Sequence, residues 1–508
     1  MTAAIGAREI ERFRAALAAR LGLHFDEGKF GFLAEVLGRR VEAAGQGSEA
    51  YLSRLETRRM PDEVAALARE VTIPETYFFR NLDQYRAFAE IVLPDRLAAP
   101  TVGRRLRILS LGCASGEEAY SLAILVRDMI ANPACDVSIV GVDVNSAMIE
   151  KANRGRFSAW ALRETPEEDR RRWFRADGPD FILDDAVRTS VRFEQRNLID
   201  DDPQLWQSST YDVVFFRNVV MYFTPDQGRR VVDRIARALC PGGYLFLGHA
   251  ETLRGFSNDF HLRHTHGTFY YQRKERAESL SSASFPSDVR HPPIASIAAV
   301  PADADSWVDA IRRASERVAA LTDSHRPDPS GLGSNVVTAT PAWELGLVLE
   351  LLRKERFAEA LAIVNAFPPA SGRDPDVLLL RAVLLTHGGQ LARAEDACAR
   401  LLDVDDLSAG AHYLLALCRE GAGDRAAASH HDQVAAYLDP GFAMPRLHLG
   451  LLARGVGEHS VAREQLGQAL VLLQREDASR VLLFGGGFGR EALIALCRTE
   501  LLRCGGTA

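Results

Sequence analysis

The chain has 508 residues, 47% of them apolar and 25% charged, with a net charge of −7. At roughly 150 residues per domain it holds about three domains with sizeable cores, and its acidic balance argues against a general nucleic-acid binder. Seven cysteines without a C-x-x-C pair, no apolar run near the ~18 residues of a membrane span and no signal-peptide pattern predict a cytoplasmic protein with reduced thiols, no metal and no membrane insertion.

Residues 1–75 read as a helical domain. Ile10, Phe13, Leu17 and Leu21 recur at helical spacing, as do Phe32, Leu33, Val36, Leu37 and Val41. Arg39, Arg40, Arg54, Arg58 and Arg59 gather here, either as a solvated face or as a docking surface for an acidic partner. In residues 71–80, VTIPETYFFR, Pro74 biases Ile73 away from helix. The stretch reads as a bend that starts a new helix with Thr76 as its cap, and Phe78-Phe79 reads as core.

The second predicted domain, residues 76–274, is organised around residues 107–143. Ile108, Leu109 and Leu111 make a short buried strand that stops at a Gly-rich turn. Residues 121–129 carry apolar side chains at helical spacing, and residues 137–142 are a second β-branched run ending in Asp143. Strand, turn, helix and strand with an acid at the tip is how a Rossmann-like fold holds an adenosine. Gly112 and Gly116 let the backbone approach a ligand, and the acid accepts both ribose hydroxyls. Such a turn is also ordinary packing.

Residues 145–154 read as a helix and about 155–195 as a small β-insertion, with a hairpin over residues 181–193. Residues 191–200 read as strand then loop, and 211–220 as a strongly apolar strand ending at Arg217-Asn218. An amphipathic helix is expected at 227–239, closed by Pro241-Gly242-Gly243. Strands at 244–247 and 268–272 complete a doubly wound, mostly parallel α/β sheet with a final antiparallel pair. Its strand ends converge on one crevice.

Residues 275–340 are rich in Ser, Ala, Pro and Asp and read as a flexible linker, with one helix at 307–321. From 341 to 508 the sequence repeats. Gly389, Gly423 and Gly457 lie 34 residues apart, as do Ala360, Ala394, Ala428 and Ala462, and Ala382, Ala416 and Gly450. Small residues at fixed offsets in that period mark an all-α tetratricopeptide solenoid. Residues 490–503 are expected to cap it. The FGGGFG at 484–489 lacks the Lys-Ser/Thr of a phosphate loop and reads as a helix connection.

With these pieces in order the chain resembles the chemoreceptor glutamate methyltransferases of the CheR type, in the variant with C-terminal tetratricopeptide repeats. The carriers are ETYFFR (75–80), ASGEEAYS (114–121), VDVN (142–145), Arg196-Asn197-Leu198, FRNVVMYF (216–223) and LGHAE (247–251). The resemblance implies an S-adenosylmethionine-dependent protein-glutamate O-methyltransferase, with S-adenosylhomocysteine as product. Its substrates would be glutamates on the cytoplasmic helices of methyl-accepting receptors, esterified for sensory adaptation. Carried over by motif, Thr76 and Arg80 would lie against the cofactor, Glu118 would meet its cationic methionyl end and Asp143 would hold the ribose. Asn197 and Leu198 would flank the adenine, and Arg217 and Asn218 would line the methyl-donor side. Pro74 stands where the family often has Asn, which implies one polar cofactor contact fewer.

A glutamate is already ionised near pH 7, so the reaction needs no general base. Tyr222 and Arg80 are the expected catalytic groups, orienting the substrate carboxylate, and His249 is a weaker candidate. Some relatives tether themselves to a receptor peptide through a Gly-containing loop of the β-subdomain. Here that segment, with the single Gly178, looks short, so the repeats are expected to hold an unidentified protein partner instead. Two alternatives remain: a nicotinamide oxidoreductase, which the missing G-x-G-x-x-G argues against, and an adaptor working through its repeats on a vestigial methyltransferase fold.

Overall fold

The computed structural model describes residues 5–57, 60–98, 105–130, 136–249, 251–254, 256–275, 345–354, 356–366, 373–486 and 488–505. Two compact units divide the chain, Met1–Ser284 and Phe285–Ala508. Arg58, Arg59, the expected linker from residue 276 onward and the helix expected at 307–321 lie outside the described residues.

In the first unit the helices Ala7–Leu21, Phe30–Ala44, Ser48–Thr57 and Pro61–Val71 bundle around their apolar stripes. Phe13, Leu17, Leu33, Val36, Leu37, Leu52 and Leu67 are fully buried in that core. The arginines that read as a docking face are largely engaged within the bundle. Arg39 pairs with Glu70 at 2.8 Å and Arg40 with Glu63 at 2.7 Å, and half-buried Arg54 adds its charge beside Glu63. These pairs join the helices Phe30–Ala44 and Pro61–Val71, so much of the positive charge is neutralised internally.

Ten strands follow among the described residues: β1 (Leu106–Leu111), β2 (Val137–Asp143), β3 (Arg156–Ser158), β4 (Phe174–Asp177), β5 (Asp180–Leu183), β6 (Val191–Gln195), β7 (Tyr211–Phe216), β8 (Leu239–Leu247), β9 (Phe260–Thr265) and β10 (Thr268–Arg273). Seven form one sheet in the order β6-β2-β1-β7-β8-β10-β9. Pairing is parallel from β6 through β8, and antiparallel from β8 through β10 to β9. All of β7 is buried and β1 buries all but Arg107, as strands covered on both faces must be. Chain order reverses between β1 and β7, so the crevice beyond their carboxyl ends is the place where such a sheet takes a ligand.

Four local expectations are corrected. The hairpin joins β4 to β5 through Gly178-Pro179 in a separate three-stranded sheet, β3-β5-β4, whereas residues 191–195 pair in parallel with β2. β7 stops at Phe216, because Asn218 turns left-handed (φ 56°) and Val220–Tyr222 coil into a 3-10 turn. Pro241-Gly242-Gly243 lies inside β8, directly after the helix Pro225–Ala238. Thr76 caps no helix: the next one, Leu82–Ala87, begins only after Asn81 (φ 64°). Phe78 and Phe79 anchor the intervening segment first, fully buried as expected, with Phe78 edge-on to Phe157 and Phe174 at 4.8 and 4.9 Å.

Helix pairs make up the second unit: Leu345–Arg353 with Phe357–Asn365, Pro375–His387 with Leu391–Leu402, Ala409–Gly421 with Arg425–Leu438, and Ala443–Gly455 with His459–Leu473. Ala360, Ala394, Ala428 and Ala462 expose no surface, and a Cβ on Gly450 would lie 2.6 Å from Leu466 Cγ. The small residues recur because two helices approach closely at each. Gly389, Gly423 and Gly457 turn the pairs at φ 71°, 83° and 82°, where glycine carries no steric penalty. The helix Ala478–Phe484 lies against the first helices of the second and third pairs. Tyr413 donates to the Phe484 carbonyl at 3.3 Å, His387 Nε2 is 2.8 Å from the Leu483 carbonyl, and the Phe484 ring packs edge-on to Tyr413 and Phe442. Among the described residues no helix is long and apolar enough to cross a membrane.

Candidate functional site

A cavity at the carboxyl ends of β1, β2 and β7 is lined by Thr76, Arg80, Gly112, Glu118, Asp143, Asn197, Leu198, Arg217, Asn218 and Tyr222. These residues, expected from the sequence at the cofactor or substrate, are therefore in one place, while Gly116 lies outside the lining. His249 is outside it too, exposed on the turn after β8.

The turn after β1 holds Gly112, Ala114 and Gly116 at φ 70°, 46° and 93°. Its shape is fixed from β2. Gly112 and Cys113 donate to the Val142 carbonyl at 2.8 and 3.0 Å, and Asp143 Oδ2 accepts from the Ala114 N–H at 2.9 Å. Asp143 Oδ1 accepts from the Asn145 N–H at 2.8 Å. Each carboxylate oxygen keeps a further lone pair, the acceptor set that a vicinal diol needs. Burial pushes the Asp143 pKa up, against the backbone N–H groups of Asn145 and Ala114. The glycines answer to packing as well as to a ligand. A Cβ on Gly112 would lie 2.4 Å from Val219 Cγ2, and one on Gly116 would lie 2.8 Å from Phe193 and 2.9 Å from Ala152.

Glu118, at the start of the helix Glu117–Met129, accepts from Ser110 at 2.8 Å and pairs with Arg217 at 3.1 Å. Burial raises its pKa while the Arg217 charge lowers it. Arg217 also donates to the Tyr85 hydroxyl at 3.3 Å and to the Arg80 carbonyl. Its guanidinium thus fixes the cavity wall, and Asn218 stands next to it in the lining. Two polar groups of the lining have no carboxylate partner among the described residues. Arg80 donates to the Glu75 carbonyl at 3.1 Å but has no carboxylate partner among the described residues, and the Tyr222 hydroxyl has no hydrogen-bond partner among them.

Sequence reasoning assigned no role to Glu251, which holds this wall. Glu251 is only 4% exposed; its Oε2 accepts from the N–H groups of Asn218 and Gly248 at 2.7 and 2.8 Å, and its Oε1 from that of Met221 at 3.3 Å. One carboxylate so clamps the turn that carries Asn218 and Tyr222. An acid closing the apolar run of β8 was the available signal. The helical bundle closes the other side: His24 N–H donates to the Tyr222 carbonyl at 2.7 Å, and Asn197 Nδ2 to the Arg20 carbonyl at 2.8 Å. Leu21, His24 and Phe25 join the lining.

Residues 74–269 match the family described as CheR methyltransferase, SAM binding domain. The chain is 32% identical over 272 residues to chemotaxis protein methyltransferase 2 of Vibrio cholerae, covering 53% of this chain and 93% of that protein. It is 31% identical over 261 residues to chemotaxis protein methyltransferase 1 of Pseudomonas aeruginosa, covering 50% and 93%. The similarity extends into the helical repeats in the probable biofilm formation methyltransferase WspC of Pseudomonas aeruginosa, 28% identical over 457 residues, 89% of this chain and 96% of that one. Spare acceptors at the end of β2, a buried acid at the adjoining helix start and a backbone turn closed to side chains suit an adenosyl amino acid. The chain belongs to the CheR family of S-adenosylmethionine-dependent protein methyltransferases.

Proposed function

We propose that this protein moves a methyl group from S-adenosylmethionine to glutamate side chains of methyl-accepting receptor helices, forming methyl esters that adjust a sensory response. The observation that carries the reading is the meeting, in one cavity, of the Asp143 and Glu118 carboxylates with Arg80 and Tyr222, neither of which has an ion pair or hydrogen bond to a carboxylate among the described residues. S-adenosylmethionine, when bound, supplies a methyl group on a positively charged sulfur. Asp143 accepts the ribose hydroxyls, Gly112 gives the backbone room, and Asn197 and Leu198 flank the adenine. Thr76, Glu118 and Asn218 contact the remainder, with Arg217 holding Glu118 in place.

The substrate carboxylate is ionised near neutrality, so no proton has to move. Its oxygen bonds to the methyl carbon as the carbon–sulfur bond breaks, and that electron pair stays on sulfur. Arg80 and Tyr222 hold the carboxylate in line, and the enclosed cavity keeps water away. Residues 1–75 and 76–274 act together as the transfer unit. Residues 341–508 hold a protein partner. Because β4 and β5 are joined by the tight turn Gly178-Pro179, receptor tethering through a loop there is not used.

Titration with S-adenosylmethionine, followed by transfer of its labelled methyl group to a receptor cytoplasmic fragment, tests this. Binding and alkali-labile label on the fragment are expected. Binding without transfer would overturn the substrate, and absence of binding would restore the adaptor alternative.

A further inference from the structure

The apolar surface of the first unit is unevenly distributed. Among its described residues the three most exposed large apolar side chains are Trp160, Ile73 and Met221, at 71, 64 and 62%. All three belong to segments around the mouth of the cavity. Ile73 is in its lining, Met221 immediately precedes Tyr222, and Trp160 is linked to the lining by a stack of rings and guanidinium groups. The Arg163 guanidinium sits 3.5 Å from the Tyr77 ring centre and 4.2 Å from that of Trp160, and the Arg80 guanidinium lies 5.7 Å from the Tyr77 ring centre. Arg163 donates to the Trp160 carbonyl at 2.9 Å and, like Arg80, has no carboxylate partner among the described residues. Of the acids nearby, Glu164 is engaged with the Tyr77 hydroxyl and Glu75 stands at the rim.

We propose that this rim, Ile73, Met221 and the Trp160–Arg163 stack, is the docking surface for the helix that carries the methyl-accepting glutamate, and that the helix is amphipathic, with apolar residues one turn from that glutamate and a second acid facing Arg163. The inference rests on the receptor-glutamate reading. A glutamate inserted between Arg80 and Tyr222 brings its helix to the mouth, and residues three and four positions away then lie about 5–6 Å to either side. Those positions meet exposed apolar rim atoms, whose burial supplies binding that does not depend on the chemistry. Arginine stacked on aromatic rings keeps its fork in plane and ready for a carboxylate. The paired Arg39 and Arg40 of the bundle offer no such free charge.

The test is steady-state methylation of a receptor cytoplasmic fragment by the full-length protein, comparing Trp160→Ala, Trp160→Phe and Arg163→Glu with Met129→Ala, an exposed residue of the same unit away from the lining. Truncating a docking aromatic or reversing its stacked cation should raise KM for the fragment about 10-fold or more. The kcat and the affinity for S-adenosylmethionine should stay within about twofold, and Trp160→Phe should recover most of the loss. Unchanged KM in both Trp160→Ala and Arg163→Glu, with the wild type active, would overturn the docking surface and leave the function standing. A change of oligomeric state with unchanged KM would assign the patch to a second copy and overturn it too. A wild type that methylates no receptor glutamate would sink the function itself.

Discussion

Asp143 and Tyr222 line the same cavity but differ in what their side chains already hold. Asp143 already accepts two backbone N–H groups, which hold the β1 turn, and a ribose would add charge-assisted bonds worth about 1.5–3 kcal/mol. Asp143→Ala should therefore weaken S-adenosylmethionine binding by about 10-fold or more, measured by calorimetry. Unchanged affinity in a folded variant would remove Asp143 from the cofactor site. Tyr222 differs because its hydroxyl has no hydrogen-bond partner among the described residues. Tyr222→Phe should keep cofactor affinity and slow methyl transfer in single-turnover assays. Loss of cofactor binding with intact folding would move the residue to the cofactor pocket. The placement of both in one cavity was legible in the sequence, Asp143 because a strand-end acid after a Gly-rich turn is a local feature and Tyr222 through the motif at residues 216–223. Glu251 was not, since its contacts with Asn218, Met221 and Gly248 join separate segments and leave no periodicity.

Among the elements, the repeat helices carry a buried ion cluster. His448, on Ala443–Gly455, has Nδ1 2.6 Å from Asp432 Oδ2 on Arg425–Leu438 and Nε2 2.9 Å from Glu420 Oε2 on Ala409–Gly421. Burial alone would lower the His448 pKa, but the hydrogen bonds and charges of Asp432 and Glu420 outweigh it and raise it to about 9. Burial raises Asp432 to about 7, against the pull of His448. The two signs agree. A raised histidine gives stability that is full below its unfolded pKa of ~6.5 and is lost as pH rises through about 9. A raised carboxyl likewise favours the folded state at lower pH. Thermal melting of the protein should thus show the repeat unit weakening from pH 7 to pH ~9.5, with a flatter profile in His448→Gln. An equal decline in that variant would contradict the assignment. The repeats were readable because the same close approach recurs at Ala394, Ala428 and Ala462. The hairpin of the β-insertion was misplaced for the opposite reason. Residues 181–193 alternate across two strands of different sheets, and a period of two does not say which sheet a strand joins. The Arg39–Glu70 and Arg40–Glu63 pairs were equally invisible, because their partners lie on another helix.

At the level of the molecule, each unit has its own core, and the transfer site lies wholly within the first. A chain ending near residue 274 should therefore bind S-adenosylmethionine and methylate receptor, with the repeats changing targeting or apparent KM. Cofactor binding without methylation at any enzyme concentration would make the repeats part of the catalytic unit. The Phe484 ring is buried edge-on to Tyr413 and Phe442, so Phe484→Ala should cost the unit about 3–5 kcal/mol, read in denaturant melts. The most direct measurement of the account is mass-spectrometric mapping of receptor cytoplasmic helices after incubation with the full-length protein and S-adenosylmethionine. Alkali-labile methyl esters on glutamate side chains, absent where those glutamates are changed to glutamine and strongly reduced with Tyr222→Phe, are the predicted result. Methylation confined to nitrogen side chains, or glutamate esters formed equally well by Tyr222→Phe, would contradict it.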